Sequence, residues 1–320
     1  LITRAAERLA TEAPDAVSQF ADAHPWVHDW ALYRALLIDK RVGTWTALSP
    51  GLRDRHPGSI TSARRRLGSS VRREIAAQAL VHRQWAALRR AAAERDIEII
   101  GDVPIFVSGG GAEVWASRDL FRGAAGPKET GGAWRADPVT GVPPDYFSPT
   151  GQRWGNPHYA WDRHRETRFA WWVARFQAVL ALVDVVRVDH FRGFAAAWEI
   201  PADADDATAG AWAAGPGRAL FDAVGAALGR LPLIAEDLGE ITEDVHKLRD
   251  DLGLPGMKIL QFAFGGGADH PFLPHNWSHP RWVAYTGTHD NDTALGWYQG
   301  APEAARHRYR VTAARDGSEP

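Results

Sequence analysis

The stretch that decides the fold is Val183-Asp184-Val185-Val186-Arg187-Val188-Asp189-His190-Phe191-Arg192-Gly193. It begins with β-branched residues, which are typical of strands buried on both faces of a sheet, and it ends with side chains that can carry charge. Side chains alternate along a strand, so Arg187 and Asp189 share one face, where the guanidinium favours the ionised carboxylate. The stretch therefore predicts a buried strand with a nucleophilic carboxylate at its carboxyl end. A purely structural ion pair is the alternative.

Three further apolar runs also carry carboxylates at or near their ends. Residues 231–235 precede Glu236-Asp237, and residues 282–288 precede His289-Asp290. The run at 97–107 places Asp102 at or near the carboxyl end of a predicted strand, where glycine and proline mark the exit of the backbone from the sheet. We therefore expect acids at the carboxyl ends of several strands.

Helices and strands alternate through the second half of the chain. The pattern predicts strands at 97–107, 183–189, 231–236, 257–264 and 283–288, and helices at 31–41, 69–96, 165–180, 217–228, 242–252 and 302–314. Alternation at this spacing predicts an α/β fold with a mostly parallel sheet. A (β/α)8 TIM barrel is favoured because its active site lies at the carboxyl ends of the strands. An open doubly wound sheet is the alternative.

The segment between the first two of these strands has a different character. Residues 108–162 show no sustained period and contain many of the glycines and prolines, which predicts a long ordered loop of the functional kind. We therefore divide the chain into a helical N-terminal part with its first strand (1–107), an inserted loop region covering the active site (108–164), and a part that carries the later strands and their helices (165–320).

The composition excludes several classes of protein. With 320 residues, 45% of them hydrophobic, the chain can bury a large core. Its 37 basic and 39 acidic residues nearly cancel, which argues against nucleic-acid and membrane-surface partners and favours a neutral ligand. The chain has no cysteine and no apolar run of membrane-spanning length, so we expect a soluble, cytoplasmic protein. Its 15 tryptophans suit a core and also the stacking of sugar rings.

Two carboxylates on consecutive strands suit retaining glycoside chemistry, which needs a nucleophile and an acid/base group ~5–5.5 Å apart. Asp189 and Glu236 fit this requirement, with the longer Glu236 as the proton donor. Asp290 or Asp102 is then available to hold sugar hydroxyls or to stabilise the developing oxocarbenium charge. Both catalytic groups are side chains, and we expect no metal and no organic cofactor.

Two other motifs favour different chemistry more weakly. The pair His289-Asp290 also marks metal-dependent phosphohydrolases, but those metal sites are helical, and no second histidine follows here at helical spacing. The run Gly109-Gly110-Gly111 is similar to the opening of a dinucleotide-binding loop, yet Val114 occupies the position of the third glycine. We interpret these glycines as a turn.

Five motifs together resemble those of the 4-α-glucanotransferases of the amylomaltase (disproportionating enzyme) type, which are relatives of the α-amylases. They are, in chain order, Gly101-Asp102-Val103-Pro104-Ile105, the loop from Pro143-Pro144-Asp145 through Gly151-Gln152-Arg153-Trp154-Gly155-Asn156-Pro157, Arg187-Val188-Asp189-His190-Phe191-Arg192-Gly193, Ala235-Glu236-Asp237-Leu238-Gly239, and Thr286-Gly287-Thr288-His289-Asp290-Asn291-Asp292-Thr293. The resemblance extends over nearly all of the chain.

The resemblance implies an enzyme that transfers α-1,4-glucan segments between maltooligosaccharides, in starch, glycogen or maltose metabolism. It implies Asp189 as nucleophile, Glu236 as general acid/base and Asp290 as transition-state stabiliser, on barrel strands four, five and seven. It also implies a set of substrate-binding residues, with Arg187, His289 and Asp102 at the −1 sugar and Asp145, Tyr146, Phe147, Gln152 and Trp154 on a loop over the glucan. An amylase-like glucan hydrolase and a non-catalytic glucan-binding fragment are the alternatives.

The sequence departs from the family pattern in two places. Residues 110–115 read Gly-Gly-Ala-Glu-Val-Trp where the family tends to have an Asp-Ser-Ala-Asp-Val-Trp type of sequence, so different contacts are expected from that loop. Only the third to seventh strands of a barrel are visible. The resemblance therefore predicts a fragment, with the first two strands before Leu1 and the eighth after Pro320.

Overall fold

The computed structural model of the chain describes residues 1–126, 132–145 and 148–314. The architecture is α/β. The helices are α1 (Ile2–Glu12), α2 (Pro14–Ala23), α3 (Trp26–Lys40), α4 (Pro50–Arg53), α5 (Pro57–Arg66), α6 (Gly68–Ala93), α7 (Ala112–Ala116), α8 (Trp161–Glu166), α9 (Ala170–Leu180), α10 (Arg218–Leu228), α11 (Glu243–Asp251), α12 (Leu260–Ala263), α13 (Ala294–Gly300) and α14 (Glu303–Thr312).

The strands form two parallel and two antiparallel groups. They are β1 (Ile100–Pro104), β2 (Gly123–Ala125), β3 (Trp134–Ala136), β4 (Val139–Val142), β5 (Gln152–Pro157), β6 (Val185–Asp189), β7 (Ala196–Ile200), β8 (Ala211–Ala214), β9 (Leu233–Ala235), β10 (Gly256–Ile259) and β11 (Trp282–Tyr285). The five strands predicted from the sequence are β1, β6, β9, β10 and β11, all of them shorter than predicted.

The parallel strands pair in the order in which they occur in the chain. One sheet has the order β1-β6-β9, and β10 pairs with β11 in a second. The backbone N–H of Ala235 donates to the carbonyl of Pro255 at 2.9 Å, which connects β9 to the residue before β10. The predicted parallel arrangement is confirmed as pairing between neighbours, but in two separate groups rather than as one continuous sheet.

The predicted strand at 257–264 is wrong in its second half. The strand ends at Ile259, and residues 260–263 form helix α12. An apolar run of this length fits a buried strand and a buried helical turn equally well, so periodicity did not separate the two. The predicted strand at 283–288 likewise ends at Tyr285, and the residues that follow form a loop leading into α13.

An antiparallel sheet that the sequence did not predict lies beside the parallel strands, in the order β5-β4-β7-β8. Its strands β4 and β5 belong to the predicted loop region, whereas β7 and β8 follow β6. These strands have four to six residues and contain glycine, alanine and proline, which weaken the signal of a strand in a sequence. The described part of the segment after β1 therefore contributes strands to a sheet.

Alternation along the parallel strands separates the core from the site. Val186 and Val188 of β6 are fully buried in the main core, which also contains Trp172 and Phe176 of α9. Arg187 and Asp189 therefore point to the opposite face of the sheet, as the alternation predicted. Trp45, Trp115 and Trp172 are completely buried, so these three tryptophans are core residues.

The long helix α6 holds the N-terminal helices and the parallel strands together. Its residues Ile75 and Ala76 are buried in a cluster with side chains of α1, α2 and α3. Further along, the indole N–H of Trp85 donates to the carbonyl of Leu182 at 2.6 Å, at the start of the segment that becomes β6. The predicted amphipathic helix at 69–96 is confirmed. Within the described residues, the helices are all too short or too polar to cross a membrane.

Candidate active site

A cavity of about 530 Å³ opens where β6 and β9 end. It is bounded by side chains from the loops after these strands, from β5 and β8, and from the loop after β11. The residues that line it are Val142, Pro143, Asp145, Gln152, Trp154, Arg187, Asp189, His190, Arg192, Trp212, Glu236, Leu238, Gly239, Glu240, Phe262, Thr288, Asp290 and Asn291. Carboxyl ends of parallel strands thus form one wall of the cavity, where α/β folds place their ligands.

Arg187 joins two carboxylates on neighbouring strands. Its Nη1 lies 2.8 Å and 2.9 Å from the two carboxylate oxygens of Asp102, and its Nη2 lies 2.9 Å from Oδ1 of Asp189. The register of β1 and β6 sets this arrangement, since Asp102 pairs directly with Arg187. The guanidinium is mostly buried, whereas both carboxylates remain partly exposed. Asp189 therefore has a fixed orientation and an accessible oxygen.

The pKa of Asp189 is not the low value that an ion pair with Arg187 would by itself produce. Burial raises the pKa of this carboxyl above its ordinary value, and the positive charge of Arg187 opposes the rise without cancelling it. The negative charges of Asp102 and Asp290 raise the pKa further. Desolvation disfavours the charged form of any carboxyl group, and this effect outweighs the ion pair here. Arg187 orients Asp189 and limits the upward shift rather than producing a low pKa.

Glu236 follows β9 directly and is buried. The backbone N–H of His190 donates to its Oε2 at 2.7 Å, and the backbone N–H of Leu238 donates to its Oε1 at 2.8 Å. Burial raises the pKa of Glu236 to about 7. The nearby charge of Asp189 adds to the rise, while the two backbone donors and the charge of Arg187 oppose it. The proton of Glu236 is therefore exchangeable near neutral pH, as a general acid/base requires.

The backbone holds Asp189 and Glu236 next to each other. The N–H of Glu236 donates to the carbonyl of Val188 at 3.1 Å, and the N–H of Phe191 donates to the carbonyl of Glu236 at 3.1 Å. These bonds continue the pairing of β6 and β9 beyond the ends of the strands. The two carboxyl groups consequently project from adjacent positions into the same cavity.

Asp290 approaches the cavity from the loop after β11. Its side chain is exposed and lies 3.4 Å from Nε2 of His289, which is exposed as well. The loop is shaped by Asn291, whose Oδ1 accepts from the backbone N–H of Thr288 at 2.9 Å. The sequence around His289-Asp290 thus forms a loop and not a helix. Within the described ranges, no group of three or more His, Asp or Glu side chains is arranged to hold a metal ion.

Three residues of the predicted glucan loop lie at the cavity. The indole N–H of Trp154 donates to Oε1 of Gln152 at 3.1 Å, and its ring meets the ring of His190 edge to face at 4.8 Å between centroids. Oδ1 of Asp145 accepts from the backbone N–H of Ser148 at 2.8 Å. The predicted binding residues Tyr146 and Phe147 lie outside the described residues.

Most of the predicted site residues that the structure describes line this cavity. They are Asp145, Gln152, Trp154, Arg187, Asp189, Glu236 and Asp290. Asp102 and His289 adjoin the lining, the first through its ion pair with Arg187 and the second beside Asp290. Sequence reasoning did not select His190, Arg192, Trp212 or Asn291. His190 and Arg192 follow Asp189 within residues 183–193, so their nearness to the proposed nucleophile could have identified them. No sequence pattern identifies Trp212.

His190 occupies an unusual backbone conformation beside the acids. Its φ of 52° lies in the left-handed region, where residues other than glycine are uncommon. Its side chain is half-buried at the cavity, and desolvation lowers its pKa to about 3, so the imidazole is neutral at physiological pH. The strained turn brings the His190 backbone N–H to Glu236, which connects the conformation to the site.

The fold and the site together define a class of protein. A buried glutamate with a raised pKa and an arginine-bound aspartate stand at the ends of adjacent parallel strands, facing one cavity. Two carboxyl groups in such unlike environments can serve as a nucleophile and as an acid/base group, which enzymes that act on glycosidic bonds require.

Comparison with known proteins gives the family. The family profile described as 4-α-glucanotransferase matches residues 1–319, and the chain belongs to this family. A 4-α-glucanotransferase of Thermus thermophilus is 46% identical over 297 residues, which are 92% of this chain and 58% of that protein. The chloroplastic/amyloplastic 4-α-glucanotransferase DPE1 of Oryza sativa subsp. japonica is 42% identical over 311 residues, 95% of this chain and 51% of that protein. The chain thus spans a little over half the length of these relatives.

Two solved structures are similar in fold. An amylomaltase from Streptococcus agalactiae, solved in complex with acarbose, superposes with a TM-score of 0.89 at 34% identity, covering 97% of this chain and 61% of that one. An amylomaltase from Corynebacterium glutamicum superposes with a TM-score of 0.70 at 22% identity, covering 95% of this chain and 40% of that one, and shows the fold alone.

Proposed function

We propose that the protein transfers α-1,4-glucan segments between maltooligosaccharides by a retaining double displacement. The observation that carries the proposal is the pair of unlike carboxyl groups at one cavity, with Glu236 buried and raised in pKa to about 7 and Asp189 held by Arg187. Membership of the 4-α-glucanotransferase family supports the proposal, as does the similarity to an amylomaltase that was solved with acarbose.

Each of the two steps assigns one task to each carboxyl group. In the first, Asp189 attacks the anomeric carbon while Glu236 donates its proton to the departing glycosidic oxygen, which leaves a covalent glycosyl-enzyme and a shorter glucan. In the second, Glu236 removes the proton from the 4-hydroxyl of an acceptor sugar, and this oxygen displaces Asp189 from the anomeric carbon. Two inversions give overall retention of the α configuration.

The remaining site residues position the sugar and stabilise charge. Asp290 faces the cavity with an exposed carboxylate, which suits stabilisation of the positive charge that develops on the ring. Arg187, Asp102 and His289 surround the position of the sugar under attack. Asp145, Gln152 and Trp154, with Tyr146 and Phe147 of the same loop, are proposed to cover the glucan.

The architecture belongs to this proposal too. We propose that β1, β6, β9, β10 and β11 are strands three to seven of a (β/α)8 barrel, supported by their parallel pairing in chain order and by the superposition on an amylomaltase. In this reading, residues 1–107 form the helical N-terminal part with strand three, residues 108–164 cover the active site, and residues 165–320 supply strands four to seven.

Maltotriose as the sole substrate tests the proposed function. The protein encoded by the complete gene should convert it into glucose and longer maltooligosaccharides, because one molecule donates a segment and another accepts it. Products are separated by chromatography and counted by reducing ends, whose total stays constant during transfer. A mixture that only shortens, with a rising number of reducing ends, would contradict transfer and indicate a glucan hydrolase.

The pKa values predict a bell-shaped dependence of kcat/KM on pH. Glu236 must be protonated to act as the acid, so kcat/KM should fall as the pH rises through about 7. Asp189 must be ionised to attack, and because burial raises its pKa, the acidic limb should lie above that of an exposed aspartate. Profiles are measured with maltotriose and with α-maltosyl fluoride, whose leaving group needs no proton. An alkaline limb that persists with the fluoride would contradict the assignment of Glu236.

A further inference from the structure

Tryptophans with exposed rings concentrate at the cavity. Among the described residues, the tryptophans classed as exposed are Trp26, Trp154 and Trp212, at 41%, 38% and 40%. Trp154 and Trp212 both line the cavity, and Trp26 does not. Trp154 belongs to the predicted glucan loop, whereas Trp212 lies on β8, in the antiparallel sheet that the sequence did not reveal. Trp212 thus leaves a large apolar ring in the cavity wall without a role in the proposed chemistry.

The ring of Trp212 is fixed in place by its neighbours. The guanidinium carbon of Arg192 lies 3.8 Å from the ring centroid. Trp198, its cross-strand partner on β7, meets it at 5.1 Å and 69° between the ring planes. Trp198 is itself held by a hydrogen bond of 2.9 Å from its indole N–H to the carbonyl of Ala207. An indole held in this way presents a rigid apolar surface, and such surfaces suit the stacking of a sugar ring.

Arg192 also shows on which side of the site Trp212 lies. This residue is only 6% exposed, and its guanidinium donates to the carbonyl of Glu240 and, at 3.5 Å, to Oγ1 of Thr242. Its Nε is buried without a hydrogen-bond partner among the described residues. The segment that it binds follows Glu236 in the chain and lines the same cavity. Trp212 is therefore connected to the Glu236 side, whereas Asp102 lies on β1, across β6 from β9.

We infer that Trp212 is the stacking platform for the glucosyl unit of the acceptor, an inference that rests on the proposed function. Glu236 protonates the leaving oxygen in the first step and activates the acceptor hydroxyl in the second, so leaving group and acceptor occupy the same side of the bond. A ring fixed next to the segment after Glu236 contacts the sugar on that side. Trp212 thereby favours a glucan over water as the second reactant, since only a sugar gains binding energy from the stacked ring.

Separating the two steps tests this inference in the protein encoded by the complete gene. The donor is α-maltosyl fluoride without its non-reducing 4-hydroxyl, so that the donor cannot itself accept a glucan segment. Fluoride leaves without occupying the acceptor position, and the acceptor is maltose at increasing concentration. In Trp212→Ala the acceptor concentration for half-maximal transfer should rise about tenfold, which corresponds to ~1.4 kcal/mol. The rate of fluoride release without maltose should fall by much less than the transfer does. In Trp212→Phe, which has a smaller aromatic face, the acceptor concentration for half-maximal transfer should lie between the wild-type and Trp212→Ala values.

A matched control is available in Trp26→Ala, which removes an equally exposed indole away from the cavity and should leave the acceptor concentration unchanged. An unchanged value in Trp212→Ala would overturn the inference. Loss of acceptor-free fluoride release in Trp212→Phe, in proportion to the loss of transfer, would also overturn it, because the ring would then serve the donor side or the scaffold. Should Trp212→Ala fail to fold, the same two measurements on Trp212→Phe test the inference. If the wild-type protein neither releases fluoride nor transfers to maltose, the proposed function fails instead.

Discussion

Replacing Asp189 with asparagine should abolish transfer, lowering kcat with maltotriose by at least about 10⁴-fold. The amide cannot form the covalent bond to the anomeric carbon, and the other carboxylate bound by Arg187, that of Asp102, belongs to a different strand. The variant retains nearly the same shape and loses one negative charge beside Glu236. Disproportionation is measured with the protein encoded by the complete gene, and folding is checked by circular dichroism and the thermal transition.

Asp222→Asn provides the matched control for this substitution. Asp222 lies exposed on α10, where it pairs with Arg218 four residues earlier. Its replacement removes the same charge from the surface and should leave kcat unchanged, because exposed ion pairs of this kind contribute little. If Asp189→Asn kept more than about one hundredth of the wild-type kcat, Asp189 would not be the nucleophile.

Replacing Glu236 with glutamine should lower kcat with maltotriose by about 10²–10⁴-fold, the usual contribution of a general acid/base. The effect should depend on the leaving group. With α-maltosyl fluoride the first step needs no proton, so Asp189 is still glycosylated, while the second step lacks its base. The covalent maltosyl-enzyme should therefore accumulate. Intact mass spectrometry detects the added maltosyl group, and peptide mapping places it on Asp189.

Azide completes this experiment because it is a nucleophile that needs no base. Added to Glu236→Gln with the fluoride donor, it should restore turnover and give maltosyl azide with the α configuration, which demonstrates two displacements. Glu243→Gln, on the exposed first turn of α11, is the control and should behave as the wild type. A β-configured azide product would contradict the double displacement and indicate a single inversion. An adduct on a residue other than Asp189 would show that the nucleophile had been assigned wrongly.

Asp237 shows that an acid at the end of a strand can face the interior instead of the cavity. It follows Glu236 directly and points the other way, where Oδ1 accepts from the backbone N–H of Met257 at 2.8 Å and Oδ2 accepts from Arg249. Both partners of this ion pair are almost fully buried between β10 and α11. Two adjacent acids thus divide between the cavity and the interior, a division that alternation along an extended backbone produces.

The sequence by itself determined the strands that contain or precede the acids and, for β6, the side of the strand on which Arg187 and Asp189 lie. The β-branched run before Asp189 predicted a buried strand, and its alternation places Arg187 and Asp189 together on a half-buried face while Val186 and Val188 enter the core. The helix at Gly68–Ala93 was equally determined, because a sustained period of apolar residues over 26 residues permits only one face to be buried. These features are local, since each is a repeat within one continuous segment.

Only the tertiary structure decided the pKa of Glu236 and the position of Trp212 in the wall of the cavity. The pKa of Glu236 depends on desolvation by surrounding residues and on two backbone donors from His190 and Leu238, neither of which a sequence pattern expresses. Trp212 reaches the cavity through pairing of β8 with β7 and of β7 with β4, strands too short to leave a period in the sequence. Such pairing joins segments distant in the chain, and its free energy comes from contacts that exist only after folding.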